Sequence, residues 1–170
     1  MRLFAAVRLN RGMKRLVREV QDSFRRQGVR GNYTPEENLH ITLAFIGEYH
    51  DPDEVLEAMT DVSFRPFRIT MDKIGSFDEL WWTGFSDSGE LDRLAGRLRR
   101  ALADSGIPYD RKKFKAHATF LRKAEYGRQG QMVHADMEAE SMLVDRISLM
   151  RSDRGKNGMI YTEIGSVAAR

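Results

Sequence analysis

The chain has 170 residues, of which 41% are hydrophobic and 31% are charged, a composition that supports a folded globular protein and excludes a disordered one. It contains no cysteine, so disulfides, thiolate nucleophiles and cysteine-ligated zinc or iron–sulfur centres are excluded. The formal net charge is +3, with 28 lysine and arginine residues, which favours a polyanionic partner.

The length of the chain and the lack of an interdomain linker predict a single domain over residues 1–170. The apolar run near the N-terminus is broken by Arg8 and has no cleavage site, so it does not predict a signal peptide. No segment approaches the ~20 apolar residues that a membrane-spanning helix needs. We therefore expect a cytoplasmic protein with no membrane partner. We also expect a monomer, which no feature of the sequence decides.

The first third of the chain predicts two strands and two helices. Leu3–Leu9 is an apolar run typical of a buried strand, and the residues after it recur at helical spacing until Gly28. The apolar stripe of this helix is Met13, Leu16, Val17, Val20 and Phe24. Leu39–Ile46 predicts a further strand, the second or third of the chain. Asp51, followed by proline and two acids, predicts the start of a helix.

The middle of the chain predicts a hairpin followed by a helix. Arg65–Ile74 and Leu80–Phe85 are strand-like, and the Gly75–Asp78 segment between them predicts the hairpin connection. Ser88–Ser105 carries leucines and one alanine on one face and arginines mostly on the other, which predicts an amphipathic helix.

The last third predicts strands separated by polar segments. Ala116–Leu121 is a short apolar strand, and Ala124–Glu140 predicts a long exposed connection. Leu143–Met150 and Met159–Ile164 predict two further strands, joined by a turn-rich linker over Arg151–Gly158. With few helices among many strands, we expect an α+β fold with two pseudo-symmetric lobes, each an antiparallel sheet with helices on its outer face, around a central cleft.

Two motifs of the form His-x-Thr-hydrophobic lie in the two halves of the chain. The first is His40–Leu43 and the second is His117–Phe120, each on a predicted apolar strand. In a strand, side chains at i and i+2 share a face. Each histidine therefore projects on the same side as its threonine, while the residue between them faces the core.

Such a pair of half-sites suits the metal-free opening of a cyclic phosphodiester by water. One imidazole can accept the proton of the water while the other protonates the departing ribose oxygen. Because the reference pKa of histidine is ~6.5, one ring can be neutral and the other cationic near neutral pH. The hydroxyls of Thr42 and Thr119 can donate to the non-bridging oxygens.

Other candidate residues carry weaker signals. A single His-x-Thr is more often structural, but two copies among only four histidines favour a shared site. His50 and His134 have no ligand-spaced partners, so we expect no bound metal. The basic run Arg111–Lys115 fits either an RNA-steering surface or a solvated face. The Trp81–Trp82 pair fits either a base-stacking platform or one core and one surface tryptophan.

These motifs and their surroundings resemble the two-histidine phosphoesterases, and within them the RNA 2′,3′-cyclic phosphodiesterases once named 2′-5′ RNA ligases. The resemblance spans nearly the whole chain. Its landmarks beyond the paired motifs are Met1–Phe4, Pro35–Leu43, Phe45–Gly47, Leu143–Ser152 and Tyr161.

The resemblance implies conversion of a 2′,3′-cyclic phosphate end of RNA to a 2′-phosphate, with possible weak, reversible 2′-5′ ligation and with neither metal nor cofactor. It implies His40 as the general acid toward the 3′ oxygen and His117 as the general base for water. It further implies that Arg122 and Phe45 contact the substrate.

Two alternatives stay open at this point. The same site could act on a small nucleotide cyclic phosphate or on a 2′-5′-linked oligonucleotide. The chain could instead be a non-catalytic module that binds an RNA end through its phosphate.

Overall fold

The computed structural model describes residues 1–127, 130 and 132–170. Within these residues, the helices are α1 (Arg11–Arg26), α2 (Pro52–Thr60) and α3 (Glu90–Asp104), with a 3-10 helix at Glu36–Asn38. The strands are β1 (Arg2–Arg8), β2 (Arg30–Tyr33), β3 (His40–Glu48), β4 (Phe67–Phe77), β5 (Leu80–Ser86), β6 (His117–Glu125), β7 (Glu140–Val144), β8 (Arg146–Gly155) and β9 (Gly158–Ala168). None of these helices is long and apolar enough to cross a membrane.

The strands form two antiparallel sheets, which confirms the two-lobed α+β expectation. The first lobe contains the sheet β3-β1-β8-β9, and the second lobe contains the sheet β2-β6-β5-β4-β7. The first sheet combines strands from both ends of the chain, so the lobes are not simply its two halves. One histidine motif lies in each sheet, because β3 belongs to the first and β6 to the second.

A strand-helix-strand unit occurs twice, and each helix packs on the sheet of the other unit. The units are β1-α1-β3, in which the edge strand β2 of the second sheet lies between α1 and β3 in the chain, and β5-α3-β6. Helix α1 packs against β6 and β7, whereas α3 packs against β3 and α2 packs against β9. The apolar stripe that predicted α1 is mostly buried, as are the leucines of α3. This exchange of helices gives the two lobes one continuous core.

The two tryptophans lie in different environments. Trp81 is buried, meets the ring of Phe24 edge-on at 4.8 Å, and donates from Nε1 to the hydroxyl of Tyr126 at 2.9 Å. Trp82 is half-buried, and its ring centroid lies 6.3 Å from that of His117. Trp82 is therefore a neighbour of the second motif.

The predicted hairpin connection at Gly75–Asp78 is wrong. Gly75, Ser76 and Phe77 continue β4, and the turn consists of Asp78 and Glu79, with Asp78 at φ +50°. Glycine is needed at position 75 for a reason other than a turn, because a Cβ atom there would lie 2.3 Å from the Trp82 ring. The glycine marks a close approach of a side chain to the backbone, which looks the same in a sequence as a turn.

Two predictions near the C-terminus are also wrong. Leu143–Met150 is not one strand, because β7 ends at Val144 in the second sheet and β8 begins at Arg146 in the first. Both pieces are largely apolar, so hydrophobicity alone does not reveal the crossing. The linker predicted over Arg151–Gly158 is mostly strand, with only Lys156 and Asn157 in the turn.

The edge strand β2 and the full length of β6 were not predicted from the sequence. Strand β2 is mostly exposed and therefore lacks an apolar pattern. Strand β6 continues to Glu125, into the connection predicted over Ala124–Glu140. The other described residues of that connection before Glu140 form neither helix nor strand, and residues 128, 129 and 131 lie outside the described residues.

A buried glutamine joins α1 to both histidine-bearing regions and generates a stability prediction. Gln21 is 5% exposed, and its Nε2 donates to the carbonyls of Thr34 and Phe120, each at 3.0 Å. Gln21→Ala should lower the free energy of unfolding by roughly 1 to 3 kcal/mol, because it removes two buried hydrogen bonds. Urea denaturation measures this loss.

The matched control is Glu19→Ala, at an exposed position of the same helix. It should change the free energy of unfolding by no more than about 0.5 kcal/mol. Equal effects of the two substitutions would mean that the Gln21 hydrogen bonds do not stabilise the fold.

Candidate active site

Both motifs stand at the beginning of a strand, and strand alternation divides their residues between two faces. The first histidine opens β3 and the second opens β6. Ile41, Leu43, Ala118 and Phe120 are buried in the core. The four remaining side chains, those of His40, Thr42, His117 and Thr119, are half-buried on the opposite face. The pattern that predicted a shared face for each histidine and threonine therefore holds in both strands.

A cavity of about 350 Å³ lies between the two motifs. All six side chains proposed from the sequence line it: His40, Thr42, Phe45, His117, Thr119 and Arg122. Its further lining residues are Thr34, Asn38, Arg99, Asp110, Lys112, Lys113, Phe114, Lys115 and Tyr161. Most of the charged side chains among them are cationic, so the cavity suits an anion.

The two imidazoles are oriented by the same hydrogen bond. Nδ1 of His40 lies 2.6 Å from the carbonyl oxygen of Asn38, and Nδ1 of His117 lies 2.7 Å from that of Lys115. In each case the carbonyl belongs to the residue two positions earlier. A carbonyl only accepts, so Nδ1 must carry the hydrogen, and Nε2 of the neutral ring is left as the acceptor.

Nε2 of the first histidine contacts the threonine of its own motif. The distance from Nε2 of His40 to Oγ1 of Thr42 is 2.8 Å. With Nδ1 protonated and the ring neutral, the Thr42 hydroxyl donates to Nε2. A ligand oxygen that enters this corner can replace either partner, because a hydroxyl rotates to suit its neighbour.

Asn38 joins the first motif to the C-terminal hairpin. Its side chain is 5% exposed and donates from Nδ2 to the carbonyl of Met159 in β9 at 2.9 Å, while its own carbonyl accepts from His40. Asn38 was not among the functional residues predicted from the sequence. Its position two residues before the histidine is the only signal that the sequence offers.

A cluster of aromatic rings packs around the imidazole of the first histidine. The ring of buried Phe4 lies 4.9 Å from that of His40, 5.0 Å from that of Tyr161 and 5.8 Å from that of Phe45. Tyr161 also meets His40 edge-on at 5.4 Å. Tyr161 was predicted only as a landmark of the resemblance, whereas the structure places it in the cavity wall.

The pKa of His40 is lowered from 6.5 to about 4, chiefly because the ring is buried. The hydrogen bond to the Asn38 carbonyl raises this pKa, and the positive charges of Arg122, His117 and Arg8 contribute to lowering it. His40 is therefore neutral at physiological pH in the free protein. The cations that make the cavity attractive to an anion are among the groups that hold this ring neutral.

The segment that precedes each histidine is hydrogen-bonded to the strand that carries the other histidine. Thr34 precedes the first histidine and donates from its backbone to the Phe120 carbonyl and from its hydroxyl to the Thr119 carbonyl, each at 3.0 Å. Asp110 precedes the second histidine, and its backbone N–H donates to the Phe45 carbonyl at 2.8 Å. These reciprocal bonds bring the two motifs to the same cavity.

The basic segment before the second motif forms one wall of the cavity. Lys112, Lys113 and Lys115 are exposed and line it. Arg99 holds this wall in place, because its Nε donates to the Leu43 carbonyl at 3.1 Å and its Nη1 donates to the Lys112 carbonyl at 2.7 Å. The helical pattern of α3 predicted that Arg99 faces solvent. It did not predict the hydrogen bonds from Arg99 to Leu43 and Lys112.

The other two histidines lie elsewhere. His50 and His134 are exposed, with Nε2 3.8 Å from a carboxylate oxygen of Glu54 and 3.4 Å from one of Asp136, respectively. In the part of the chain that the structure describes, no three histidine, aspartate or glutamate side chains are grouped to hold a metal ion.

Comparison with known proteins agrees with this geometry. The chain matches the model of the 2′-5′ RNA ligase superfamily over residues 13–156. It is 36% identical over 130 residues to an RNA 2′,3′-cyclic phosphodiesterase of Archaeoglobus fulgidus, with 72% of each chain covered. It is 31% identical over 163 residues to the protein of the same name from Aeropyrum pernix, covering 88% of this chain and 93% of that one.

The fold is also shared with solved structures. The crystal structure of TT0787 from Thermus thermophilus aligns with a TM-score of 0.84 at 28% sequence identity, covering 100% of this chain and 98% of that one. The matched region includes both His-x-Thr motifs and both sheets. On the family model, the two relatives and the shared fold, this chain belongs to the 2′-5′ RNA ligase superfamily.

Proposed function

We propose that this protein is an RNA 2′,3′-cyclic phosphodiesterase, which opens a cyclic phosphate terminus to a 2′-phosphate. The observation that carries the proposal is the cavity of about 350 Å³ lined by both His-x-Thr pairs, one from each lobe. The names of the relatives from Archaeoglobus fulgidus and Aeropyrum pernix support the same activity. Residues 1–170 then act as one two-lobed domain, because the site needs a strand from each sheet.

The reaction needs only groups that the cavity contains. The cyclic phosphate lies between the motifs, and the hydroxyls of Thr42 and Thr119 donate to its non-bridging oxygens. Nε2 of His117 accepts a proton from water as the water oxygen bonds to phosphorus. The bond between phosphorus and the ribose 3′ oxygen breaks, and His40 gives that oxygen its Nε2 proton. Arg122 offsets the negative charge of the phosphate.

The acid role of His40 requires a proton that the free protein does not hold. At a pKa of about 4, the ring is neutral before substrate binds. A bound phosphate diester adds a negative charge that offsets the cations around the ring, and a nearby anion raises the pKa of a histidine. We propose that substrate binding itself loads the proton onto His40.

Each histidine should be indispensable for turnover, and this is the central test. His40→Ala and His117→Ala should each lower kcat for a cyclic-ended RNA by at least ~100-fold, because each removes one acid–base group. The exposed histidines supply matched controls, since His50→Ala and His134→Ala remove an imidazole outside the cavity and should leave kcat unchanged. A folded cavity variant that keeps most of its activity would contradict the mechanism.

The proton on His40 should follow the ligand. In the free protein, the imidazole NMR signals of His40 should titrate near pH 4. With a nucleoside 2′-phosphate bound, the pKa should rise toward its ordinary value of 6.5, so that the ring takes up a proton at a higher pH than in the free protein. An unchanged pKa in the complex would rule out His40 as the acid and would leave it the base role.

The same site should also run the reaction with an alcohol in place of water. If the 5′-hydroxyl of a second RNA enters on the His117 side, its oxygen bonds to phosphorus as the 3′ oxygen leaves, which yields a 2′-5′ linkage. A high concentration of a 5′-hydroxyl oligonucleotide should therefore give a small yield of ligated RNA that contains a 2′-5′ bond. A 3′-5′ linkage in the product would mean that the 2′ oxygen departs and that the proposed orientation is wrong.

A further inference from the structure

A second cavity continues from the first along the surface of the first lobe. It has a volume of about 610 Å³. We call it the outer groove, and it shares His40, Thr42, Phe45, Arg122 and Tyr161 with the catalytic cavity. The two spaces therefore meet at the first motif and not at the second, because His117 and Thr119 line the catalytic cavity alone.

The position of this junction indicates which part of a bound RNA would lie in the outer groove. In the reaction proposed above, the ribose oxygen departs on the His40 side of phosphorus and water enters on the His117 side. The ribose and the RNA chain attached to it therefore lie on the side where the outer groove opens. A chain that runs away from the terminal nucleotide can enter the groove without crossing the path of the water.

The charges in the groove are arranged for a polyanion. Arg2, Arg122 and Arg154 are exposed there, and within the described residues no carboxylate forms an ion pair with any of them. Both acidic side chains of the groove have other partners. Glu48 binds the Met1 ammonium at 2.9 Å, and Asp153 binds Nε of Arg151 at 2.7 Å.

Two aromatic rings stand where the cavities join. Phe45 is 41% exposed, and Tyr161 is half-buried beside it. Both rest on Phe4, which is 1% exposed and fixes their rings from below. Aromatic rings that solvent can reach, next to unpaired arginines, are the elements by which proteins bind single-stranded nucleic acid, through base stacking and phosphate contacts.

We propose that the outer groove binds the RNA chain on the 5′ side of the cyclic phosphate, with Arg2 and Arg154 contacting its phosphodiesters. The inference rests on the proposed function for its direction, but its charge and aromatic arguments are independent of catalysis. The groove then makes a cyclic-ended oligoribonucleotide a better substrate than a cyclic mononucleotide, since only the oligonucleotide reaches these two arginines.

The experiment compares two substrates in two double variants. Arg2→Ala with Arg154→Ala removes two charges from the groove. The matched control, Arg15→Ala with Lys156→Ala, removes two exposed charges outside it. The substrates are a 2′,3′-cyclic mononucleotide and a hexaribonucleotide with the same cyclic end.

The groove variant should lower kcat/KM for the hexaribonucleotide by roughly tenfold or more, because two phosphate contacts are lost. The slope of log kcat/KM against log salt concentration should become less steep by about 0.7 for each lost contact. It should leave the mononucleotide unaffected, and the control should leave both substrates unaffected. An unchanged hexaribonucleotide rate would overturn the proposal. Equal losses on both substrates would also overturn it, because the arginines would then act at the reacting phosphate or on the fold.

A binding measurement distinguishes a failure of the outer-groove proposal from a failure of the proposed enzymatic function. Fluorescence anisotropy of a labelled hexaribonucleotide with a terminal 2′-phosphate needs no turnover. If wild-type protein hydrolyses neither substrate, the proposed function fails, yet weaker binding by the groove variant alone still supports the groove. If binding is lost only when Lys112 and Lys113 are replaced by alanine, the chain crosses the basic wall and the outer groove is not its path.

Discussion

The site depends on one hydrogen bond that occurs twice, from Nδ1 of the imidazole in each His-x-Thr motif to the carbonyl two residues before it. That carbonyl is available because each strand begins at its histidine, so the backbone just before it is outside the sheet ladder. The bond fixes both the tautomer and the direction of the ring. A histidine placed one residue later would be turned toward the core by strand alternation, and one placed further along would lose the free carbonyl.

The second constraint is the distance between the lobes. It is set by helices that follow a strand of one sheet and pack on the other sheet. Helix α1 follows a strand of the first sheet and packs on the second, whereas α3 does the reverse. The hydrogen bonds of Thr34 and Asp110 repeat this exchange beside the cavity, because each comes from the segment before one histidine and ends on the strand of the other. Opening the cleft would break bonds and separate apolar surfaces on both sides at once. The arrangement therefore favours a preformed site over one assembled by closure.

The sequence predicted the parts of this site that obey a local period, and it missed those that depend on tertiary pairing. The His-x-Thr spacing, the apolar strands and the amphipathic helices are local, and the motif spacing led to four of the lining residues, which are His40, Thr42, His117 and Thr119. Phe45 and Arg122 came only from the resemblance to the family. Arg99 and Asn38 act through backbone carbonyls distant in sequence, which no spacing reveals. Gly75 was mistaken for a turn because a close side-chain approach and a positive φ both call for glycine. The crossing of the chain between Val144 and Arg146 was hidden because both sheets bury similar apolar residues.

The electrostatics of the cavity couple binding to protonation. A site that attracts a phosphate needs cations, but cations next to a half-buried imidazole oppose its protonated form, and the pKa of His40 is lowered for this reason in addition to burial. An anion bound in the cavity would cancel part of that field and so favour the protonated ring. Under the proposed mechanism, His40 therefore carries its proton mainly in the complex with the phosphate. The free protein then avoids the cost of a positive charge on a buried ring.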